Sequence, residues 1–227
     1  MDSPPRFLRP TALPADRAIV VGDPGRALFL AQELIESPPP MFSHHRGFWG
    51  YSGTSRSDGE RLLVQGAGLG ATSLNAVVDD LIDLGVERVV RVGTCRVLDG
   101  LSLGSLVVVT GAIGRDGVSS TLSSGASLLP DRELTRGLDE ALGDRAIRGK
   151  VRSDDFIRRP SDGRPQADEI ATDLATAALL ATAEHRGIRS AAVLVAARDD
   201  SRELDDAALE PLVSEAGQAA LSALSIR

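Results

Sequence analysis

The sequence predicts an α/β fold, a single-domain three-layer α/β/α arrangement over residues 1–227, on three observations. Short β-branched runs alternate with helical patterns along the chain, which places helices on both faces of a largely parallel or mixed sheet. Gly- and Pro-rich turns stand where those runs meet the helices. A chain of 227 residues, about 42% hydrophobic and 25% charged, can bury a sizeable core. No internal repeat or linker divides it.

The elements follow in order. Ala18–Val21 is a strand that ends in Gly22-Asp23-Pro24-Gly25, with a helical pattern from Arg26 to Ile35. Ser37-Pro38-Pro39-Pro40 breaks that helix. His45–Tyr51 and Arg61–Gln65 read as strands joined by a polar turn near Ser55–Gly59. Gly66–Gly70 follows a strand and opens a helix over Ser73–Leu84. Arg88–Val92 and Leu106–Thr110 are further strands. A Ser/Gly-rich loop covers Ser119–Leu129, and Asp131–Leu142 is a charged amphipathic helix. Arg159–Gln166 is polar and rich in breakers, a mobile loop. Asp173–Glu184 reads as an alanine-rich helix, Ala191–Ala197 as a buried strand, and Asp205–Leu224 as a terminal helix with Asp206 as a capping candidate.

Composition removes several classes of function. The 32 acidic and 25 basic residues give a net charge of −7, with no basic tail or stripe, which argues against nucleic-acid or anionic-membrane partners. One cysteine allows no intrachain disulfide and fits a reducing compartment. The N-terminus lacks a signal pattern, and no apolar run approaches the roughly 20 residues of a membrane helix. The expectation is a cytoplasmic protein. His44, His45 and His185 form no metal-ligand spacing, so no metal site is expected.

Three glycine-bearing segments could carry chemistry. Gly22-Asp23-Pro24-Gly25-Arg26 sits at a strand-to-helix junction, where free N–H groups and the helix dipole favour an anion and Arg26 can add a planar fork. A plain turn with a surface arginine is the alternative. Gly66-Ala67-Gly68-Leu69-Gly70 brings its third glycine too early for a dinucleotide fingerprint and reads as a tight turn. In Arg91-Val92-Gly93-Thr94-Cys95, Arg91 closes a buried strand and needs either an anionic ligand or a core carboxylate. Gly93 allows close approach to the backbone, and the Thr94 hydroxyl can donate to a phosphate oxygen. Cys95 has no histidine near it in sequence, which argues against a nucleophile.

Taken in order, these segments resemble the nucleoside phosphorylase family that includes hexameric purine nucleoside phosphorylases and uridine phosphorylases. The resemblance rests on Val21–Arg26 (VGDPGR), His45–Thr54 (HRGFWGYSGT), Gly68–Gly70, Arg91–Cys95 (RVGTC), Ser153–Phe156 (SDDF) and Asp173–Leu179 (DLATAAL). It implies a central sheet that is mixed and partly barrel-like. It also implies phosphorolysis of a nucleoside to free base and ribose 1-phosphate, with orthophosphate as co-substrate and no cofactor. By position, Gly22, Arg26, Arg91 and Thr94 would bind phosphate, together with Arg46 from a neighbouring subunit. The implied assembly is a homo-oligomer built from dimers, up to a hexamer. Phe156 would lie against the nucleobase, Leu174 under the sugar, and Cys95 beside the substrate.

The chain departs from the family pattern at three places. The glutamate expected to bind ribose hydroxyls is Ala175, with Asp173 unsuited to replace it by helical spacing. The histidine expected to reach a neighbour's ribose falls on Arg6. A glycine near the base becomes Arg96. At the leaving group, Arg198 and Asp199 occupy the places of a uracil-binding arginine and a purine-protonating aspartate, and a one-residue slip exchanges them. The leading expectation is a purine nucleoside or uridine phosphorylase. The alternative is a degenerate or substrate-shifted homologue that binds phosphate or a phosphorylated glycoside.

Overall fold

The computed structural model describes residues 5–98, 100–123, 127–156 and 168–226. The strands are β1 (Arg17–Val21), β2 (Met41–Ser43), β3 (Gly50–Thr54), β4 (Arg61–Gly66), β5 (Arg88–Val97), β6 (Leu106–Arg115), β7 (Ala146–Asp154), β8 (Glu169–Asp173) and β9 (Arg189–Arg198). The helices are α1 (Pro24–Leu34), α2 (Gly70–Asp83), α3 (Gly117–Leu122), α4 (Arg132–Leu142), α5 (Thr176–Arg186) and α6 (Asp206–Ser225).

The strands form one mixed sheet in the order β2-β3-β4-β1-β5-β8-β7-β6-β9, and β9 also pairs with β5. That last pairing closes five strands into a ring, while β2, β3, β4 and β1 continue as an open wing. The partly barrel-like sheet expected from the sequence is therefore present. β5 belongs to both parts: its first half lies between β1 and β9, and its tip lies between β8 and β9.

Both faces of the sheet are covered, so its central strands are apolar throughout. In β1, Ile19 and Val21 enter a core shared with α1, α4 and α6, while Ala18 and Val20 enter one shared with α2 and α5. Val107, Ala192 and Leu194 contribute to a third core against Ala177 and Leu180 of α5. Close helix contact depends on Gly137 in α4, where a Cβ would meet Ala223 of α6 at 2.8 Å.

Several boundaries differ from the sequence expectations. Strand structure does not extend over His45–Gly47, which form a 3-10 turn with Arg46 at φ 57°; β3 begins at Gly50. β2, β7 and β8 were not anticipated, and α3 overlaps the start of the segment expected to be a Ser/Gly loop. The helix expected from Asp173 starts at Thr176, because Asp173 ends β8 and its carboxylate accepts from the Thr176 backbone N–H at 3.1 Å. Asp205, not Asp206, caps α6 by accepting from the Ala208 N–H. The loop assigned to Arg159–Gln166 lies outside the described residues. Among the described residues, no helix is long and apolar enough to cross a membrane.

Candidate active site

β1, β4, β5 and β9 run parallel, and their carboxyl ends converge on a cavity of about 310 Å³. Such strand ends are the usual ligand position in α/β sheets. Two glycine turns form one wall. Gly22 follows β1 and Gly68 follows β4, and they pack so closely that a Cβ on Gly22 would touch the Gly68 carbonyl oxygen at 3.4 Å. Asp23 caps α1, accepting from the Arg26 N–H at 2.9 Å. The Arg26 side chain lines the cavity and has no hydrogen-bond or ion-pair partner among the described residues.

Arg91 is the centre of the polar wall. Its side chain is only 9% exposed, and Nη2 lies 3.1 Å from Asp173 Oδ2. Nη1 is buried without a hydrogen-bond partner. A buried guanidinium N–H left unpaired is costly, and an anion in the adjoining cavity would satisfy it. Gly93 makes this placement possible, because a Cβ there would overlap Arg91 Nη1. Thr94 lines the same wall.

The two sequence readings of Arg91, core pairing and anion binding, are thus both accommodated: one nitrogen pairs with Asp173 and the other stays free. Asp173 is positioned by three further donors, Ser153 Oγ at 2.5 Å, Thr176 Oγ1 at 2.6 Å and the Thr176 N–H. Sequence reasoning set this residue aside on helical spacing, which does not apply at the end of a strand.

Leu69, Leu74, Leu174 and Ala175 also line the cavity. Ala175 presents a methyl group where the resemblance implied a carboxylate. Cys95 lines the cavity but is 3% exposed, and its Sγ faces the Val195 carbonyl at 3.6 Å. Burial pushes the Cys95 thiol up to about 12, with the Asp173 carboxylate adding to the effect. It carries no appreciable thiolate at neutral pH. The native protein is expected to resist alkylation by iodoacetamide at pH 8 and to react at one thiol after unfolding; rapid native labelling would refute the burial.

Arg96 and Arg198 line the cavity at the carboxyl tips of β5 and β9, where Arg96 pairs with Asp200. Glu203, which no sequence signal marked, joins this end through a backbone bridge with Arg198. Asp199 does not line the cavity. Its Oδ1 accepts from the Ser201 N–H at 2.7 Å, Ser201 Oγ at 2.9 Å and the Arg202 N–H at 2.7 Å. These bonds, the Ser201 backbone first, hold its carboxyl below the usual range, so it is a poor proton donor. Of the two residues, Arg198 lines the cavity and Asp199 does not.

Three other sequence candidates stand outside this chain's cavity. Phe156 is 64% exposed. Arg46 is exposed on its 3-10 turn, with its guanidinium carbon 5.7 Å from the Phe7 ring centroid. Arg6 is exposed on a segment whose Arg6, Phe7 and Leu8 N–H groups all donate to Asp80 of α2. Among the described residues, no cluster of His, Cys, Asp and Glu could hold a metal ion.

A family model described as the phosphorylase superfamily matches residues 16–225. The chain belongs to this superfamily. A purine nucleoside phosphorylase of the DeoD type from Oceanobacillus iheyensis is 29% identical over 220 residues, 93% of this chain and 81% of that protein. A DeoD-type enzyme from Geobacillus kaustophilus is 40% identical over 82 residues, 36% of this chain and 34% of its own. In three dimensions the phosphorylase-superfamily fold matches a purine nucleoside phosphorylase from Toxoplasma gondii, solved in complex with immucillin-H. The TM-score is 0.82 at 18% identity, covering 93% of this chain and 92% of that one.

Proposed function

We propose that the chain catalyses phosphorolysis of the N-glycosidic bond of a nucleoside. The observation that carries this reading is the unpaired Nη1 of Arg91, lodged over Gly93 and beside the cavity that Arg26 and Thr94 also line. Arg26 and Arg91 supply planar forks and Thr94 a hydroxyl, a donor set suited to a phosphate dianion. The purine nucleoside phosphorylase relatives add support for the reaction class.

Held there, a phosphate oxygen attacks C1′ as the C1′–N bond breaks, and the bonding electron pair leaves on the base nitrogen. The phosphate proton ends on the released base, so hydrogen phosphate and nucleoside give ribose 1-phosphate and free base. The bound dianion stabilises the oxocarbenium-like centre. Arg198 can only donate hydrogen bonds, which favours a base carrying an acceptor oxygen, a 6-oxopurine or uracil, over a 6-aminopurine. The reaction so written calls for orthophosphate as co-substrate and no cofactor.

Arg46, Arg6 and the 41%-exposed Trp49 are surface residues of the single chain. We assign Arg46 to a neighbour's phosphate site within a dimer-based homo-oligomer. Release of free base from inosine, adenosine and uridine, with and without orthophosphate, tests the proposal. Cleavage that requires phosphate is the expected result; cleavage indifferent to phosphate, or no cleavage of these three or of orotidine and inosine 5′-monophosphate, would sink it.

A further inference from the structure

Arg96 on β5 and Arg198 on β9 are direct ladder partners at the carboxyl ends of two parallel strands. Neighbouring strands lie about 4.8 Å apart, and like charges directly opposite one another destabilise a sheet. The pairing register shifts between Cys95 and Arg96. The extra residue, Ala197, is on β9, so Arg96 faces Arg198 across the ladder, and both arginines line the cavity. Two arginines are thereby brought side by side, five residues beyond Arg91 along β5.

The protein offsets little of this charge. Arg96 pairs with Asp200, a side chain 83% exposed, and exposed pairs contribute little. Arg198 has no ion pair among the described residues. Of the carboxylates in the wall, Asp23 is committed to capping α1 and Asp173 to Arg91 and α5. Glu203 meets Arg198 through the backbone and makes no ion pair with it. Leu69, Leu174 and Ala175, which also line the cavity, supply no counter-charge.

We infer that the cavity takes a glycoside carrying a second oxyanion, a carboxylate or phosphate, received between Arg96 and Arg198. This rests on the phosphorolysis reading for the glycosidic bond that is cleaved, but the oxyanion subsite stands on its own geometry. Arg96 exchanges Asp200 for the ligand, and Arg198 gains the partner it lacks. Two forks then meet one oxyanion, the arrangement in which arginine binds most strongly. A neutral nucleoside would instead leave the two guanidinium groups opposed.

The test compares two matched pairs: uridine with orotidine, whose carboxylate is on the base, and inosine with inosine 5′-monophosphate, whose phosphate is on the sugar. Binding is measured by calorimetry and phosphorolysis by base release, for the natural protein and for Arg96→Gln and Arg198→Gln. In one pair the anionic member is expected to bind at least about tenfold more tightly than its neutral parent. That ratio should fall towards one in both variants, whatever happens to absolute rates. The pair that shows it identifies where the oxyanion resides. Equal or weaker binding of both anionic members, or a preference that survives both substitutions, would overturn the subsite even if neutral nucleosides are phosphorolysed. A preference in binding without turnover of any compound would uphold the subsite and sink the phosphorolysis reading instead.

Discussion

Gly93→Ala is expected to lower kcat/KM for phosphate by about 100-fold, the loss of a strong charged hydrogen bond from Arg91 Nη1. The added methyl would occupy the position of Arg91 Nη1, and no flexible neighbour can yield except the arginine itself. Arg91 must then swing out, leaving Asp173 buried without its cation. Arg91→Lys provides the comparison. It keeps a charge near Asp173 but cannot present one nitrogen to the carboxylate and another to the cavity, so its KM for phosphate should rise as well. Melting curves separate a misplaced arginine from a misfolded chain. A folded Gly93→Ala protein that keeps its KM for phosphate within about threefold would show that Arg91 does not bind the co-substrate.

The second large effect is on stability, at the opposite end of the strands. Arg17 is buried, and its two terminal nitrogens reach the Asp58 carboxylate at 2.6 and 2.7 Å while Nε donates to the Arg61 carbonyl. Ser225 Oγ also donates to Asp58 and so ties the end of α6 to the turn after β3. Asp58→Asn strands a buried guanidinium and should cost about 3–5 kcal/mol in urea unfolding. Asp58→Asn combined with Arg17→Met should recover much of the loss, since no charge is left unpaired.

The same pair sets an acid dependence. The Arg17 hydrogen bonds hold the Asp58 carboxyl well below the usual carboxylate range. Its folded pKa is therefore depressed. The stabilisation is complete above the unfolded value of about 3.9 and is lost as pH falls below it. Urea midpoints between pH 6 and about 3 should fall less steeply for the double variant. Identical slopes would remove Asp58 from the acid response.

Strands β1 and β4 and five of the six described helices were legible in the sequence because their signals are local. Ala18–Val21 is apolar on both faces, and Pro24 opens its helix with Asp23 as cap. β7 and β8 escaped notice for a physical reason: their inward positions are polar. Arg152 sits between Asp154 and Glu169, and Ser153 bonds Asp173, so buried charge replaces the apolar alternation that marks a strand. Gly22, Arg26, Arg91 and Thr94, read in order from the sequence, all line the cavity. Which of Arg198 and Asp199 lines it was not legible, because that depends on which way a loop turns. Hydrogen bonds within 199–202 decide that, and no spacing rule encodes them.

β5 has a neighbour along both edges and carries Arg91 and Thr94, so the groups assigned to phosphate stand on the part of the frame least free to drift. Arg198, Asp200 and Glu203 stand where β9 runs out into the segment before α6, whose bonds are largely its own. On the proposed reading, the division separates what holds the attacking group from what admits the glycoside. Substitutions around 198–203 are then expected to change which glycoside enters while phosphate keeps its seat. A lineage could thus diversify in substrate without reinventing its chemistry.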